Sequence, residues 1–153
     1  MRFVKQSVIN ASQESVFSFH EQADALILLL PPWESAKVIQ SARISEVGSE
    51  AIVETSILGP LKTRWVARHT LYDPPRRFED IQVKGPFRSW HHRHIVEQHE
   101  HGTVLRDEIE YEPPLGFLGR LLAPVLVDKR LQRLFDYRHE VTRRWCEDES
   151  PCV

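Results

Sequence analysis

Residues 89–112 read SWHHRHIVEQHEHGTVLRDEIEYE, and the alternation in that stretch decides the fold. Two β-rich runs, 88–99 and 103–112, flank Gly102, which marks a turn between them. Successive side chains of a strand point to opposite faces. One face therefore carries Trp90, His92, His94 and Val96 opposite Leu105, Asp107, Ile109 and Tyr111. The other carries His91, Arg93, Ile95 and Glu97 opposite Val104, Arg106, Glu108 and Glu110. Arg and Glu on that second face can pair across strands in water, each pair worth about 0.2–1 kcal/mol, whereas unpaired burial would cost far more. The first face is expected to point inward.

The same parity extends upstream. Trp65, Ala67, His69 and Leu71, then Phe78, Asp80 and Gln82, fall on the inward side; Arg64, Val66, Arg68, Thr70, Glu79, Ile81 and Val83 fall on the outward side. Strand-like segments near 36–45, 50–58, 62–72, 77–84, 88–99 and 103–112 are separated by Gly48, Gly59-Pro60, Pro74-Pro75, Gly85-Pro86 and Gly102. Links this short imply an antiparallel meander. Before it, Arg2 to Ile9 reads as one more strand, and Asn10 or Ser12 can cap a helix through Ser15 to His20. A short helical piece, Ala23 to Leu29, stops at Pro31-Pro32, because a residue before proline is pushed out of helical geometry. After Pro113-Pro114 and Gly116 the period becomes helical, with Val127, Leu131, Leu134, Val141 and Trp145 along one stripe and Pro124 as a kink or the true start. The expected class is α+β, order β-α-α-β6-α: an antiparallel seven-stranded sheet wrapped on a long C-terminal helix.

A chain of 153 residues with 41% apolar and 27% charged content fits a single domain with a real core, expected over residues 1–146, with 147–153 a flexible tail. A net charge of -2 gives no basic field for phosphates, so nucleic acid is not expected as a partner. No apolar region follows Arg2 and Lys5, and the longest apolar run, Ala25 to Leu30, falls far short of the roughly 20 residues that span a bilayer. Neither a secretory signal nor membrane insertion is expected. Cys146 and Cys152 match neither a zinc pair nor a redox motif and are read as lying in the tail, so a reducing, cytoplasmic setting is expected. Nothing in the pattern indicates an oligomeric state.

The inward face brings His69, Asp80, Gln82, His92, His94, Asp107 and Tyr111 toward one space, and buried polar groups left unpaired cost roughly 1–3 kcal/mol each. A ligand, ordered water or a polar residue on the long helix must satisfy them. Arg138, between Leu134 and Val141, is the natural candidate on the helix and could pair with Asp107, Asp80 or an acidic ligand. His92 and His94 stand about 7 Å apart on one side of their strand and could ligate a metal with His69 or Asp107. Hydrogen-bonded neutral imidazoles explain the pattern equally, and no metal or other cofactor is expected. His92 or His94 beside Asp107 or Asp80 could also move protons near neutral pH, and a structural polar network is the competing reading. Trp33, Trp65 and Trp90 suit either core packing or contact with a flat or hydrophobic ligand. Leu26 to Leu30, before Pro31-Pro32-Trp33, reads as the lip of a cavity.

Several of these residues carry a resemblance. Val16-Phe17-Ser18-Phe19-His20, Pro31-Pro32-Trp33, Gly59-Pro60, Arg64 to His69, Phe78 with Asp80 and Gln82, and Gly85-Pro86-Phe87 look like the START-like, or SRPBCC, ligand-binding superfamily. So do Trp90-x-His92-x-His94, Asp107-x-x-x-Tyr111 and Phe135-x-Tyr137-Arg138, in the manner of its bacterial cyclase/dehydrase-like members. Ser12 stands where such chains usually have a proline. The resemblance implies a helix-grip fold with a cavity between sheet and long helix, but no single activity. The expected function is binding of a small hydrophobic or amphipathic molecule by a carrier or sensor. Its ligand would meet Trp33, Trp65, His69, Asp80, Gln82, Trp90, His92, His94, Asp107, Tyr111 and Arg138. An acid-base enzyme of polyketide cyclase/dehydratase type, using His92, His94 and Asp107, is the alternative. A structural partner domain with a collapsed core is a third reading.

Overall fold

In the computed structural model, which describes residues 1–56 and 62–148, β1 (Arg2–Ile9) leads into α1 (Gln13–Glu21) and α2 (Ala25–Leu28). The meander follows as β2 (Ala36–Gln40), β3 (Glu50–Ser56), β4 (Lys62–Asp73), β5 (Arg77–Lys84), β6 (Ser89–His99) and β7 (Gly102–Glu112). The chain ends in α3 (Gly116–Ala123), a π turn (Pro124–Asp128) and α4 (Lys129–Asp148). Seven antiparallel strands lie in the order β1-β7-β6-β5-β4-β3-β2. The sheet and the long helix form the expected α+β helix-grip fold.

Local chemistry explains most boundaries. The Ser12 hydroxyl accepts from the Ser15 N–H at 3.1 Å and caps α1, doing the work a proline would otherwise do there by geometry. Gly102 opens β7 at φ +123°, where a Cβ would meet the Ile9 carbonyl oxygen at 2.2 Å, so only glycine lets β1 and this turn approach. β2 is shorter than the 36–45 segment: the chain leaves the sheet after Gln40 and turns back, dropping Ile44 into the core instead. The last two residues of the predicted 50–58 strand, the Gly59-Pro60 turn and the last five residues of the expected tail, Cys152 among them, lie outside the described residues.

Three expectations change. Pro124 neither starts the long helix nor simply kinks it; it opens the π turn that joins α3 to α4, where a residue without an N–H interrupts the α-helical ladder. Cys146 is no tail residue but a fully buried part of α4, which continues through Glu147 to Asp148. The buried stripe of α4 is Leu131, Phe135, His139, Thr142 and Cys146, one residue round from the stripe read off the apolar residues.

On the sheet the inward parity holds with one correction. A bulge between His69 and Leu71 pairs Leu71 with outward Glu79 and turns Tyr72 inward against Phe78 and Phe17. The outward face carries the charge ladder: Arg93 pairs with Glu110 at 2.9 Å, Arg106 with Glu97 at 3.1 Å, and Arg68 with Glu50 at 2.6 Å. Two apolar clusters fill the concave side. One gathers Ile9, Val16, Phe17, Phe19, Phe78, Val96 and Leu105 under α1; the other gathers Phe3, Trp90, Ile109, Tyr111, Leu131 and Phe135 under the start of α4.

Candidate functional site

Between those clusters lies a polar seam. Register sets it: His69 stands opposite Asp80, Asp80 opposite His92, and His94 opposite Asp107, so neighbouring strands deliver alternating acids and imidazoles to one spot. Asp107 is its hub. Its Oδ1 accepts from His92 Nε2 at 2.7 Å and contacts His94 Nδ1 at 2.8 Å, while its Oδ2 accepts from His139 Nε2 at 2.7 Å. His139 Nδ1 in turn is hydrogen-bonded to the Ser7 hydroxyl at 2.8 Å. The helix thus supplies the polar partner that the sheet required, but it is His139 and not its neighbour Arg138.

The charge distribution follows. Burial disfavours the His94 cation, yet the charge of Asp107 and hydrogen bonds to Asp107 and Asp80 outweigh it and push its pKa up to about 9. Burial would raise Asp107, but the His94 charge and three imidazole hydrogen bonds hold it well below the usual carboxylate range. Burial, then the His94 charge, lower His92, which is therefore the neutral ring. Asp80 stays ionised against its burial through His94 and His92. Its contacts are long, 3.4 Å to His94 Nε2 and 3.7 Å to His92 Nδ1. Phe78 stacks on the His94 ring at 4.0 Å and 11°, closing one side. His20 lies 6.0 Å from that ring and is driven down to about 4 by burial and by the His94 charge. It is a core residue of α1, held by the Val16 carbonyl.

The remaining expected site residues separate into four places. Trp65 is inward but only half-buried, edge-on to Trp90 at 4.8 Å and to Phe87 at 5.6 Å. Trp90 and Tyr111 are buried beside it, and the Tyr111 hydroxyl donates to Asp128 at 2.5 Å, so the π turn partners it and, with burial, raises its pKa. Gln82 is a brace of the β5–β6 turn: its amide donates to the Phe87 carbonyl at 2.7 Å and accepts from the Phe87 N–H at 3.3 Å. Gly85 leaves room for it, since a Cβ there would meet Gln82 Oε1 at 2.3 Å. Arg138 makes no ion pair with Asp107 or Asp80; its Nε donates to the Leu29 carbonyl at 3.3 Å, its guanidinium lies 5.2 Å from the Phe135 ring, and burial lowers its pKa. Trp33 is outside the seam altogether, 44% exposed, edge-on to Tyr137 and capped by the Arg133 guanidinium at 4.4 Å.

His69 Nδ1 is buried without a hydrogen-bond partner. Asp80, His92 and His94 present one ligand atom each within 4.8 Å of one another and are the described residues that could hold a metal ion. A cleft of about 430 Å³ opens at the expected lip, between Ile27, Leu30, Pro31, Pro32 and Glu34 on one wall and Ala36, Lys37 and Val38 on the other. Pairing of Ala36 with Thr55, Val38 with Val53, and Val53 with Trp65 puts Ala36 and Val38 on the concave side, two strands from Trp65. The exposed apolar residues Phe117, Leu118, Leu121, Leu122, Val125 and Leu126 lie on α3 and the π turn. No helix of the described residues is long and apolar enough to cross a membrane.

His139, Asp128 and Ser7 were missed from sequence. The available signal for His139 was spacing: Leu131, Phe135, His139, Thr142 and Cys146 recur at helical intervals once polar residues are allowed in the stripe.

Comparison with known proteins agrees with this architecture. A crystal structure from Thermus thermophilus superposes with a TM-score of 0.72 at 19% identity, covering 98% of this chain and 99% of that one. A protein of Chromobacterium violaceum gives 0.72 at 14% identity over 95% and 96% of the two chains. A START superfamily protein from Mycobacterium smegmatis gives 0.68 at 13% identity over 96% and 97%. No curated protein matches the sequence. A family model described as polyketide cyclase / dehydrase and lipid transport matches residues 9–135. The chain belongs to that family, within the START-like superfamily that its residues resemble.

Proposed function

We propose that the protein binds a small, mostly hydrophobic molecule with one polar end, as a carrier or sensor. The observation that carries this reading is Trp65: a large aromatic on the concave face of a sheet is normally covered, yet this one stays partly exposed while Trp90 and Tyr111 beside it are buried. The ligand would enter at the cleft beside Pro31-Pro32 and lie against Trp65. Its polar end would turn toward His69, Asp80, His94 and Arg138. A mixed wall of aromatics with a few convergent polar groups is what such sites need, and the family includes lipid transport in its description.

Native mass spectrometry of gently purified protein should show a co-purifying organic molecule. Anilinonaphthalene sulfonate should bind the emptied protein and be weakened several-fold by Trp65→Ala. Protein that carries no organic molecule and binds the dye equally well with or without Trp65 would sink the reading.

A second reading, acid-base catalysis of cyclase or dehydratase type, is favoured by His94 lying between Asp80 and Asp107. It requires turnover of a polyketide-like substrate that His94→Gln abolishes while leaving ligand binding intact.

A further inference from the structure

The seam contains a gap. Asp80 Oδ2 is buried among imidazoles, yet its nearest ring nitrogens stand at 3.4 and 3.7 Å, longer than the roughly 2.7–2.9 Å of a charge-assisted hydrogen bond. Both rings spend their other nitrogen on Asp107, His92 through Nε2 at 2.7 Å and His94 through Nδ1 at 2.8 Å. That arrangement leaves His92 Nδ1 and His94 Nε2 on the Asp80 side, and one ligand atom from each of the three residues lies within 4.8 Å of the others.

We propose that Asp80, His92 and His94 form a three-ligand site for a divalent cation of the zinc type, with a fourth position open. Distances support it first. Two donors each about 2.1 Å from a tetrahedral ion stand about 3.4 Å apart, and the two observed separations from Asp80 are 3.4 and 3.7 Å. The third separation, between the two imidazole donors, is no more than 4.8 Å. The outer partners fit as well: an imidazole that ligates a metal donates its far N–H to a carboxylate, which fixes the ring and strengthens the ligand. Asp107 plays that part for two ligands at once, and His139 and Ser7 hold Asp107 in turn. A buried carboxylate that serves only as a hub for imidazole donors is otherwise an expensive device.

A second, independent observation lies on the next strand. His69 pairs with Asp80 across the sheet, faces the same way, is only 9% exposed, and keeps Nδ1 without a partner. It stands beside the open position, where a metal-bound water or the polar end of a ligand would supply that partner. Two nitrogens and one carboxylate oxygen favour zinc, cobalt or ferrous iron over magnesium or calcium, which take oxygen ligands. The site goes beyond the ligand-binding reading and stands or falls without it.

The test uses the full chain, stripped with chelator and titrated with Co²⁺ alone. One equivalent should give the visible ligand-field bands of a four-coordinate ion, and Zn²⁺ should erase them. Asp80→Asn and His94→Gln should weaken binding at least tenfold. Asp107→Asn, which removes only the outer carboxylate, should weaken it by about 10–100-fold. The exposed pair His99 and His101, with rings 5.7 Å apart, is the obvious place for adventitious metal, and His99→Ala/His101→Ala should leave the bands unchanged. Bands that survive in Asp80→Asn and His94→Gln, or disappear with the hairpin pair, would overturn the proposal; so would their absence from the unaltered protein. Should the seam variants not fold, ¹⁵N NMR of the unaltered protein decides: Zn²⁺ must shift His92 Nδ1 and His94 Nε2, and shifts confined to His99 and His101 refute the site.

Discussion

The two ends of the sheet are built from the same alternation but packed to different completeness. At the β1–β7–β6 end, α4 lies against β1 and α1, and Ile9, Val16, Phe19 and Val96 have no exposed surface at all. At the β4–β3–β2 end, Trp65 and Val53 face the same concave side and remain half-buried, and the cleft opens beside Pro31. The helix therefore grips one end and leaves the other ajar. Stability should reside in the first region and binding in the second, with the Asp107 seam as the boundary between them.

The sharpest way to break that contrast is a matched pair of truncations. Phe17, 2% exposed and edge-on to Phe78 at 5.9 Å, should cost about 3–5 kcal/mol as Phe17→Ala. Trp65→Ala, removing a larger side chain, should cost less than about 1 kcal/mol, because its ring is already partly in water. Urea denaturation of both measures the difference, and equal losses would mean that the open end is packed like the closed one.

Acid should act first on the closed end. His20 is buried there, with His94 from β6, Asp107 from β7 and His139 from α4 as its charged or titratable surroundings, and its pKa falls from 6.5 to about 4. A depressed folded value means the unfolded chain binds the proton more readily. This contribution is fully present above pH 6.5 and is lost as pH falls through 4, to a limit of roughly 3 kcal/mol. His20→Phe should flatten that part of the stability profile, which thermal unfolding across pH 7 to 4 will show; an unchanged slope would assign the acid sensitivity elsewhere.

At the boundary, Asp107→Asn keeps the shape but removes the charge that holds three imidazoles. A loss of about 2 kcal/mol is expected, with dye binding at Trp65 little changed. This sharpens the role of Asp107: the sequence suggested a group that meets ligand, and the geometry makes it first a strut between sheet and helix. A large loss of dye binding with unchanged stability would return it to the ligand.

How far the sequence could have told this depends on which residues speak by pattern and which by partner. The sheet was legible because parity is a local property: Trp90, His92, His94, Asp107 and Tyr111 turned inward as the charges of Arg93, Arg106 and Glu110 required. Leu71 failed because a bulge, which inserts one residue, leaves no mark in alternation. The helix face failed by one residue because hydrophobicity was used to find it, and His139 and Thr142 are buried for their hydrogen bonds. Gln82 showed the limit most clearly. Its inward parity is correct, but the turn five residues later claims its amide, a contact that depends on how β5 returns through Gly85.

The smallest expected effect lies on α3. Phe117 is 82% exposed on a helix whose neighbours Leu118, Leu121 and Leu122 are also largely in water. Phe117→Ser should therefore change stability by no more than about 0.5 kcal/mol, since the isolated domain buries nothing on that ring. The same substitution replaces apolar surface with polar, so it should also raise solubility if the face is free. Chemical denaturation at two protein concentrations separates the cases. A loss above about 1 kcal/mol that grows with concentration would mean that another copy covers α3.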